Sequence, residues 1–79
     1  MAESKTEQGW SDRAKQYLKA ELKRRNVTHE ELAGLLAKQG LKETRASVAS
    51  KMSRGTFPAG FFLASLAAIG CENVRIEDV

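Results

Sequence analysis

The chain has 79 residues, 29% of them charged, a net charge of +3 at pH 7 and a single Cys. This length suits one domain with a small core, and the apolar content excludes wholesale disorder. No apolar run approaches the roughly eighteen residues that cross a bilayer, and the polar N-terminus lacks a signal-peptide core. We therefore expect a soluble, cytoplasmic protein with no membrane contact.

The few residues with catalytic or metal-binding chemistry are scattered. Cys71 cannot form an internal disulfide, which fits a reducing compartment, and it lies far in sequence from the one histidine, His29. Glu30 and Glu31 are adjacent on a predicted helix, so they point in different directions. The sequence thus indicates no enzyme, with no catalytic residue, metal, cofactor or small-molecule ligand.

The positive charge is concentrated in the middle of the chain. Residues 13–54 contain eleven of the thirteen Lys and Arg residues but only four of the ten acids, a net charge of +7. The two ends together carry −4. Because phosphate contacts release counterions and supply most non-specific affinity, this distribution favours a polyanionic partner.

The first two predicted helices follow a polar segment. We expect residues 1–9 to form a flexible tail and residues 10–79 the domain. Helical spacing begins at Trp10 or Ser11 and ends near Arg25, with Ala14, Leu18 and Leu22 as the buried face. Thr28 with Glu31 forms a capping box for the second helix, which buries Leu32, Leu35 and Leu36 and stops at Gly40.

The third predicted helix runs from Arg45 to Arg54. Thr44 can cap its N-terminus, and Gly55 can adopt the positive φ that ends it. Val48, Ala49 and Met52 form its inner face. Its outer face carries short hydroxyls and long cations, namely Ser47, Ser50, Lys51 and Arg54. Such a row suits phosphates and base edges in the major groove.

The fourth predicted helix begins after Pro58, is apolar nearly all round and ends at Gly70. We expect Phe62, Leu66 and Ile69 to be mostly internal and Phe61 and Leu63 to be available to a second copy of the chain. Residues 73–79 alternate apolar and polar side chains, which predicts a short C-terminal strand or a final helical turn. Val74 and Ile76 on one side of a strand would add to a dimer interface.

Four helices with these signals resemble the helix-turn-helix domains of phage repressors and Cro, the xenobiotic-response-element (XRE) class. Val27-Thr-His-Glu-Glu-Leu-Ala33 looks like the opening of that family's second helix, and Ser47 to Gly55 looks like its recognition helix. Phe57-Pro58 through Gly70-Cys71 looks like its fourth helix. The resemblance implies an all-α, compact bundle of four to five helices of the lambda-repressor type.

Two departures from that class concern the recognition helix. The path from Ala33 to Gly55 is about six residues longer than in the family, either as an extra turn of the second helix or as a looped connector. Ser53 stands where the family has Glu. The chain also resembles a group of small bacterial proteins of unknown function, through its Trp10 start, its Ser-Arg-Gly-Thr-Phe57 centre and its Phe61-Phe-Leu to Cys71-Glu72 end.

The resemblance implies a transcriptional regulator that binds double-stranded DNA as a homodimer, with the third helix in the major groove. The expected dimer contacts are Phe61, Leu63, Val74 and Ile76. The expected DNA-binding residues are Thr28, Lys23, Arg24, Arg25, Thr44, Arg45, Ser47, Ser50, Lys51 and Arg54. The alternative is a protein–protein interaction module that keeps the fold without specific DNA binding.

Overall fold

The computed structural model describes residues 7–79 and is all-helical over that range. Four α-helices follow one another: α1 (Glu7–Arg24), α2 (His29–Lys38), α3 (Arg45–Arg54) and α4 (Ala59–Ala68). A 3-10 turn, Ile76–Asp78, lies near the C-terminal end. Within residues 7–79, no helix is long and apolar enough to span a membrane. The all-α fold class expected from the sequence is therefore confirmed.

The core lies where α2 packs against α3 and α4, with α1 covering α4. Leu18, Leu32, Leu36 and Val48 are completely buried, and each comes from the apolar face that helical spacing predicts. The remaining buried apolar side chains are Leu22, Ala33, Met52, Phe61 and Leu66. With so small a core, each of these side chains contributes an appreciable part of the free energy of folding.

Local signals define the ends of the two central helices as predicted. The Thr28 hydroxyl accepts from the Glu31 N–H, and the Glu31 carboxylate accepts from the Thr28 N–H, which completes the capping box of α2. Thr44 and Ser47 form the equivalent pair at the start of α3. Gly55 ends α3 with φ of 73°, the left-handed conformation that glycine adopts without strain.

The path between α2 and α3 combines the two forms that the sequence allows. α2 continues beyond Ala33 to Lys38, and residues 39–44 then form a non-helical connector. Leu41 is half-buried and packs against the core, as expected, so the connector is anchored.

The first helix begins about one turn earlier than the helical spacing predicts. α1 already begins at Glu7, and Gly9 is buried. Helical spacing could not reveal this extra turn, because residues 7–9 are polar or glycine and carry no apolar repeat. The rest of the predicted tail, residues 1–6, lies outside the described residues.

Of the two forms predicted for residues 73–79, the helical turn is found, and the strand does not form within residues 7–79. Residues 71–75 are non-helical, and the 3-10 turn follows. Val74 is half-buried against the core, whereas Ile76 is 69% exposed. This segment has no neighbouring strand with which to form backbone hydrogen bonds, so it packs against the helices instead. The Arg13 Nε donates to the Val79 carbonyl over 2.8 Å and holds the segment against α1.

In α4 the buried face differs from the predicted one. Phe61 is 3% exposed and belongs to the core, so its expected availability to a second copy is wrong. Phe62 and Ile69 are half-buried, while Leu63 is 62% exposed as predicted. Because nearly every position of α4 is apolar, its sequence periodicity cannot select the buried face.

Candidate nucleic-acid interface

The solvent face of α3 carries small and basic side chains. Its exposed residues are Arg45, Ala46, Ser50, Ser53 and Arg54. Val48 and Met52 occupy the opposite, buried face. Three of the five exposed side chains are short, so the α3 backbone can approach another molecule closely. Arg45 and Arg54 lie at the two ends of this face, and neither has an ion-pair partner among residues 7–79.

A basic groove lies beside the start of α3, where three helices meet. Its volume is about 550 Å³, and it is lined by Lys19, Leu22, Lys23, Val27, Thr28, His29, Glu30 and Arg45. The first turn of α2 and the first residue of α3 both face this groove. Helix N-termini present unpaired N–H groups and a partial positive charge, which adds to the charge of the three cations. Glu30, in the same lining, offsets one of these cations, and the groove keeps a net positive charge. We call this feature the basic groove.

The structure brings three of the predicted DNA-binding residues into the basic groove, namely Lys23, Thr28 and Arg45. It adds Lys19, which sequence reasoning missed. Lys19 lies one helical turn before Lys23 on α1, so an i, i+4 comparison of exposed cations could have identified it. His29 is half-buried at the groove wall.

Lys51 and Ser47 lie on another flank of α3 and are held by an acid. The Lys51 Nζ lies 3.1 Å from each oxygen of the Glu43 carboxylate, and the Ser47 hydroxyl donates to Glu43 Oε1 over 2.6 Å. The Lys51 Nζ also lies 5.5 Å from the centroid of the Phe61 ring. We call these three residues, Glu43, Ser47 and Lys51, the Glu43 cluster. The sequence prediction missed Glu43, although it precedes Ser47 and Lys51 by one and two helical turns.

Arg24 and Arg25 pair with a buried acid at the end of α1. The Glu21 carboxylate accepts from Arg24 and, over 3.0 Å, from the Arg25 Nε, and its side chain is only 8% exposed. The Arg24 and Arg25 hydrogen bonds lower the pKa of Glu21, and burial opposes them. The same hydrogen bond and charge raise the pKa of Arg24. Arg25 also donates to the Ile69 carbonyl, so it joins α1 to the end of α4.

These pairings divide the predicted DNA-binding residues into two sets. Thr28 and Thr44 cap helices with their hydroxyls, and Ser47, Lys51, Arg24 and Arg25 are bound to internal acids. Lys23, Arg45, Ser50 and Arg54 have no hydrogen-bond partner for their side chains within residues 7–79. Lys23 and Arg45 line the basic groove, and Ser50 and Arg54 lie on the exposed face of α3. Within the same range, no cluster of three or more His, Cys, Asp or Glu residues could hold a metal ion.

The apolar surface lies elsewhere. The exposed large apolar side chains are Trp10, Leu63 and Ile76. The Arg13 guanidinium lies 4.4 Å from the centroid of the Trp10 ring and covers part of it. The exposed residues of α4 around Leu63, which are Ala59, Gly60 and Ala67, carry no charge.

Comparison with known proteins identifies a family but no relative of known activity. No curated protein and no solved structure matches the chain. A family model described as a domain of unknown function (DUF6471) matches residues 10–74, from the start of the domain to the half-buried Val74. The match agrees with the resemblance of the sequence to a family of unknown function, and it covers all of α2, α3 and α4 and most of α1. The chain therefore belongs to the DUF6471 family.

Proposed function

We propose that this protein binds double-stranded DNA, with α3 in the major groove, and regulates transcription as a homodimer of the XRE helix-turn-helix type. The observation that carries the proposal is the basic groove, in which two helix N-termini and the cations Lys19, Lys23 and Arg45 converge. This combination matches the way in which helix-turn-helix proteins hold backbone phosphates beside the groove that they read.

In this proposal the two surfaces have different tasks. The basic groove binds the phosphate backbone and orients the domain, while Arg45, Ser50 and Arg54 on the exposed face of α3 contact base edges or adjacent phosphates. The small side chains of Ala46 and Ser53 leave room for close approach to the bases. The proposal includes a cytoplasmic location, as for the DNA of a bacterial cell, and no enzymatic activity.

A selection of randomised DNA duplexes with the purified protein, at low and near-physiological salt, tests the proposal. We expect an enriched motif that survives the higher salt, with palindromic half-sites if the protein binds as a dimer. Arg45→Ala should weaken binding to the selected duplex and, if Arg45 contacts a base, relax preference at one position by about 1–3 kcal/mol.

Lys38→Ala is the matched control for Arg45→Ala. It removes one exposed cation from the opposite end of α2, on the order of 14 Å along the helix axis from the basic groove. Equal weakening by the two variants would mean that net charge alone attracts the DNA. Binding that disappears at the higher salt and selects no motif would contradict the proposal.

A protein–protein interaction module is the second candidate. The exposed Leu63, at 62%, and the absence of charge on the α4 surface around it favour this function. The ion pair between Lys51 and Glu43 also leaves one cation fewer on α3 to bind DNA. If the duplex selection yields no motif, this candidate function predicts that mutations on α4, and not on α3, weaken binding to a protein partner.

A further inference from the structure

The Glu43 cluster joins the connector residue Glu43 to Ser47 and Lys51 of α3, beside the surface proposed to contact DNA. We propose that Glu43 is an internal competitor for nucleic-acid phosphate, and that it holds Lys51 and Ser47 on its own carboxylate. DNA contact is thereby left to Arg45, Ser50, Arg54 and the basic groove. This inference rests on the proposed function and concerns which cations of α3 the DNA can use.

The geometry of the pair supports strong retention of Lys51. Its ammonium group reaches both oxygens of the Glu43 carboxylate at 3.1 Å. The Lys51 and Glu43 side chains are only 22% and 11% exposed, so solvent screens their attraction less than that of a surface pair. The Phe61 ring adds a favourable face 5.5 Å from the ammonium group.

Ser47 has little hydrogen-bonding capacity left for DNA. Its single hydroxyl hydrogen has two acceptors within the domain, Glu43 Oε1 at 2.6 Å and the Thr44 carbonyl at 3.0 Å, and its oxygen accepts the Thr44 N–H over 2.8 Å. A hydroxyl that caps its own helix in this way cannot also donate to a phosphate or a base edge.

The arrangement has a consequence for salt dependence. A lysine that stays on a carboxylate neutralises no DNA phosphate, so it releases none of the cations condensed on the DNA. Lys51 should therefore add little to the slope of binding affinity against salt concentration. Removing the negative charge of Glu43 should free Lys51 and add one phosphate contact.

Salt titrations of binding to a short mixed-sequence DNA duplex test this inference with the full chain. Glu43→Gln keeps the size and an acceptor oxygen but removes the charge. We expect the slope of log Kobs against log salt to steepen by about 0.9. Between about 50 and 200 mM salt, the added loss of affinity is then about threefold. Lys51→Ala should leave the wild-type slope unchanged and cancel the gain in the Glu43→Gln background.

Two variants separate this inference from the proposed function. Glu72→Gln removes the same charge from an exposed acid outside the Glu43 cluster and should not change the slope. Arg45→Ala should weaken binding whether or not the inference holds. If Arg45→Ala weakens binding but Glu43→Gln leaves the slope at its wild-type value, the competition is wrong and the proposed function stands. If neither Arg45→Ala nor Glu43→Gln affects binding, both are wrong.

Thermal unfolding of each variant shows whether it is folded under the titration conditions. Should Glu43→Gln fail to fold, Lys51→Ala alone still tests the inference. A shallower salt slope on loss of Lys51 would overturn it, because Lys51 would then contact a phosphate in the wild type. Weaker binding with an unchanged slope would support it, because the Glu43 carboxylate left unpaired repels the DNA.

Discussion

A single buried carboxylate, Glu21, organises the C-terminal end of α1. It accepts from Arg25, and Arg25 in turn donates to the Ile69 carbonyl over 3.0 Å, so the acid holds an arginine that joins α1 to the end of α4. Arg24, with a side chain that is 69% exposed, adds little because surface ion pairs contribute little. Glu21 is thus a structural residue, and its two arginines are engaged in contacts within the domain.

The lowered pKa of Glu21 predicts a pH-dependent stability. The pKa of its carboxyl group is lower in the folded than in the unfolded chain. Its contribution to the free energy of unfolding is therefore fully present above the usual Glu pKa of 4.5 and is lost as the pH falls through the lowered value. We expect Glu21→Gln to reduce the free energy of unfolding by about 1–2 kcal/mol at pH 7. In denaturant titrations the difference from wild type should shrink below about pH 4. A constant difference across this range would show that size, and not charge, is responsible.

At the scale of whole helices, the sequence predicted those features that are set by residues close together in the chain. The capping pairs Thr28–Glu31 and Thr44–Ser47 each span one turn, so their geometry follows from local spacing. The buried face of α4 depends instead on which side the other helices approach, and Phe61 was accordingly misplaced. The Glu43 cluster, in contrast, is local, because Glu43 lies four and eight residues before Ser47 and Lys51. The prediction missed it because Glu43 precedes the helix cap and was not included in the helical face.

Gly55, which ends α3, is expected to resist substitution. Its φ is 73°, and a Cβ added there would lie 2.9 Å from the Lys15 Cδ. We expect Gly55→Ala to lower the free energy of unfolding by about 1–2 kcal/mol, since an L-residue in this conformation is strained. The Lys15 side chain is flexible and can move, so its contact should add only a small part of the loss. Denaturant titration measures the difference.

Gly40 and Gly34 provide the controls for this prediction. Gly40 has φ of 89°, but a Cβ added there would have no atom within 4 Å, so Gly40→Ala reports the backbone cost alone. Gly34 lies inside α2 with open space around it, and Gly34→Ala should stabilise the protein by about 0.5–1 kcal/mol. If Gly55→Ala were neutral while Gly40→Ala destabilised the protein, the left-handed conformation of Gly55 would not be a source of strain for an L-residue there.

For the molecule as a whole, the basic groove and the uncharged surface of α4 are formed by different helices. The cations of the basic groove come from α1 and α3, which the sequence keeps far apart, and the packing of the helices brings them together around the start of α2. Composition predicted a basic surface and local spacing predicted a basic α3. Neither could predict that Arg45 would join Lys19 and Lys23 while Lys51 would turn towards Glu43 and Phe61.

The uncharged surface of α4 leads to the prediction for oligomeric state. In the proposed function a single domain of the helix-turn-helix type contacts only a half-site, so useful DNA affinity calls for two copies of the chain. Leu63, 62% exposed and flanked one turn away on either side by Gly60 and Ala67, offers a projecting side chain beside small residues that can receive its counterpart. We expect light scattering to give the mass of a dimer for the wild type and a lower mass for Leu63→Glu.

The stability of the fold distinguishes this effect from unfolding. Leu63→Glu changes an exposed side chain and should leave the unfolding free energy of the monomer nearly unchanged, whereas Phe61→Ala removes a buried ring and should cost about 3–5 kcal/mol. If the wild type is a monomer at every concentration, α4 is not a dimer surface in the free protein. The DNA selection should then yield a single half-site instead of a palindrome, because nothing would fix the spacing between two copies.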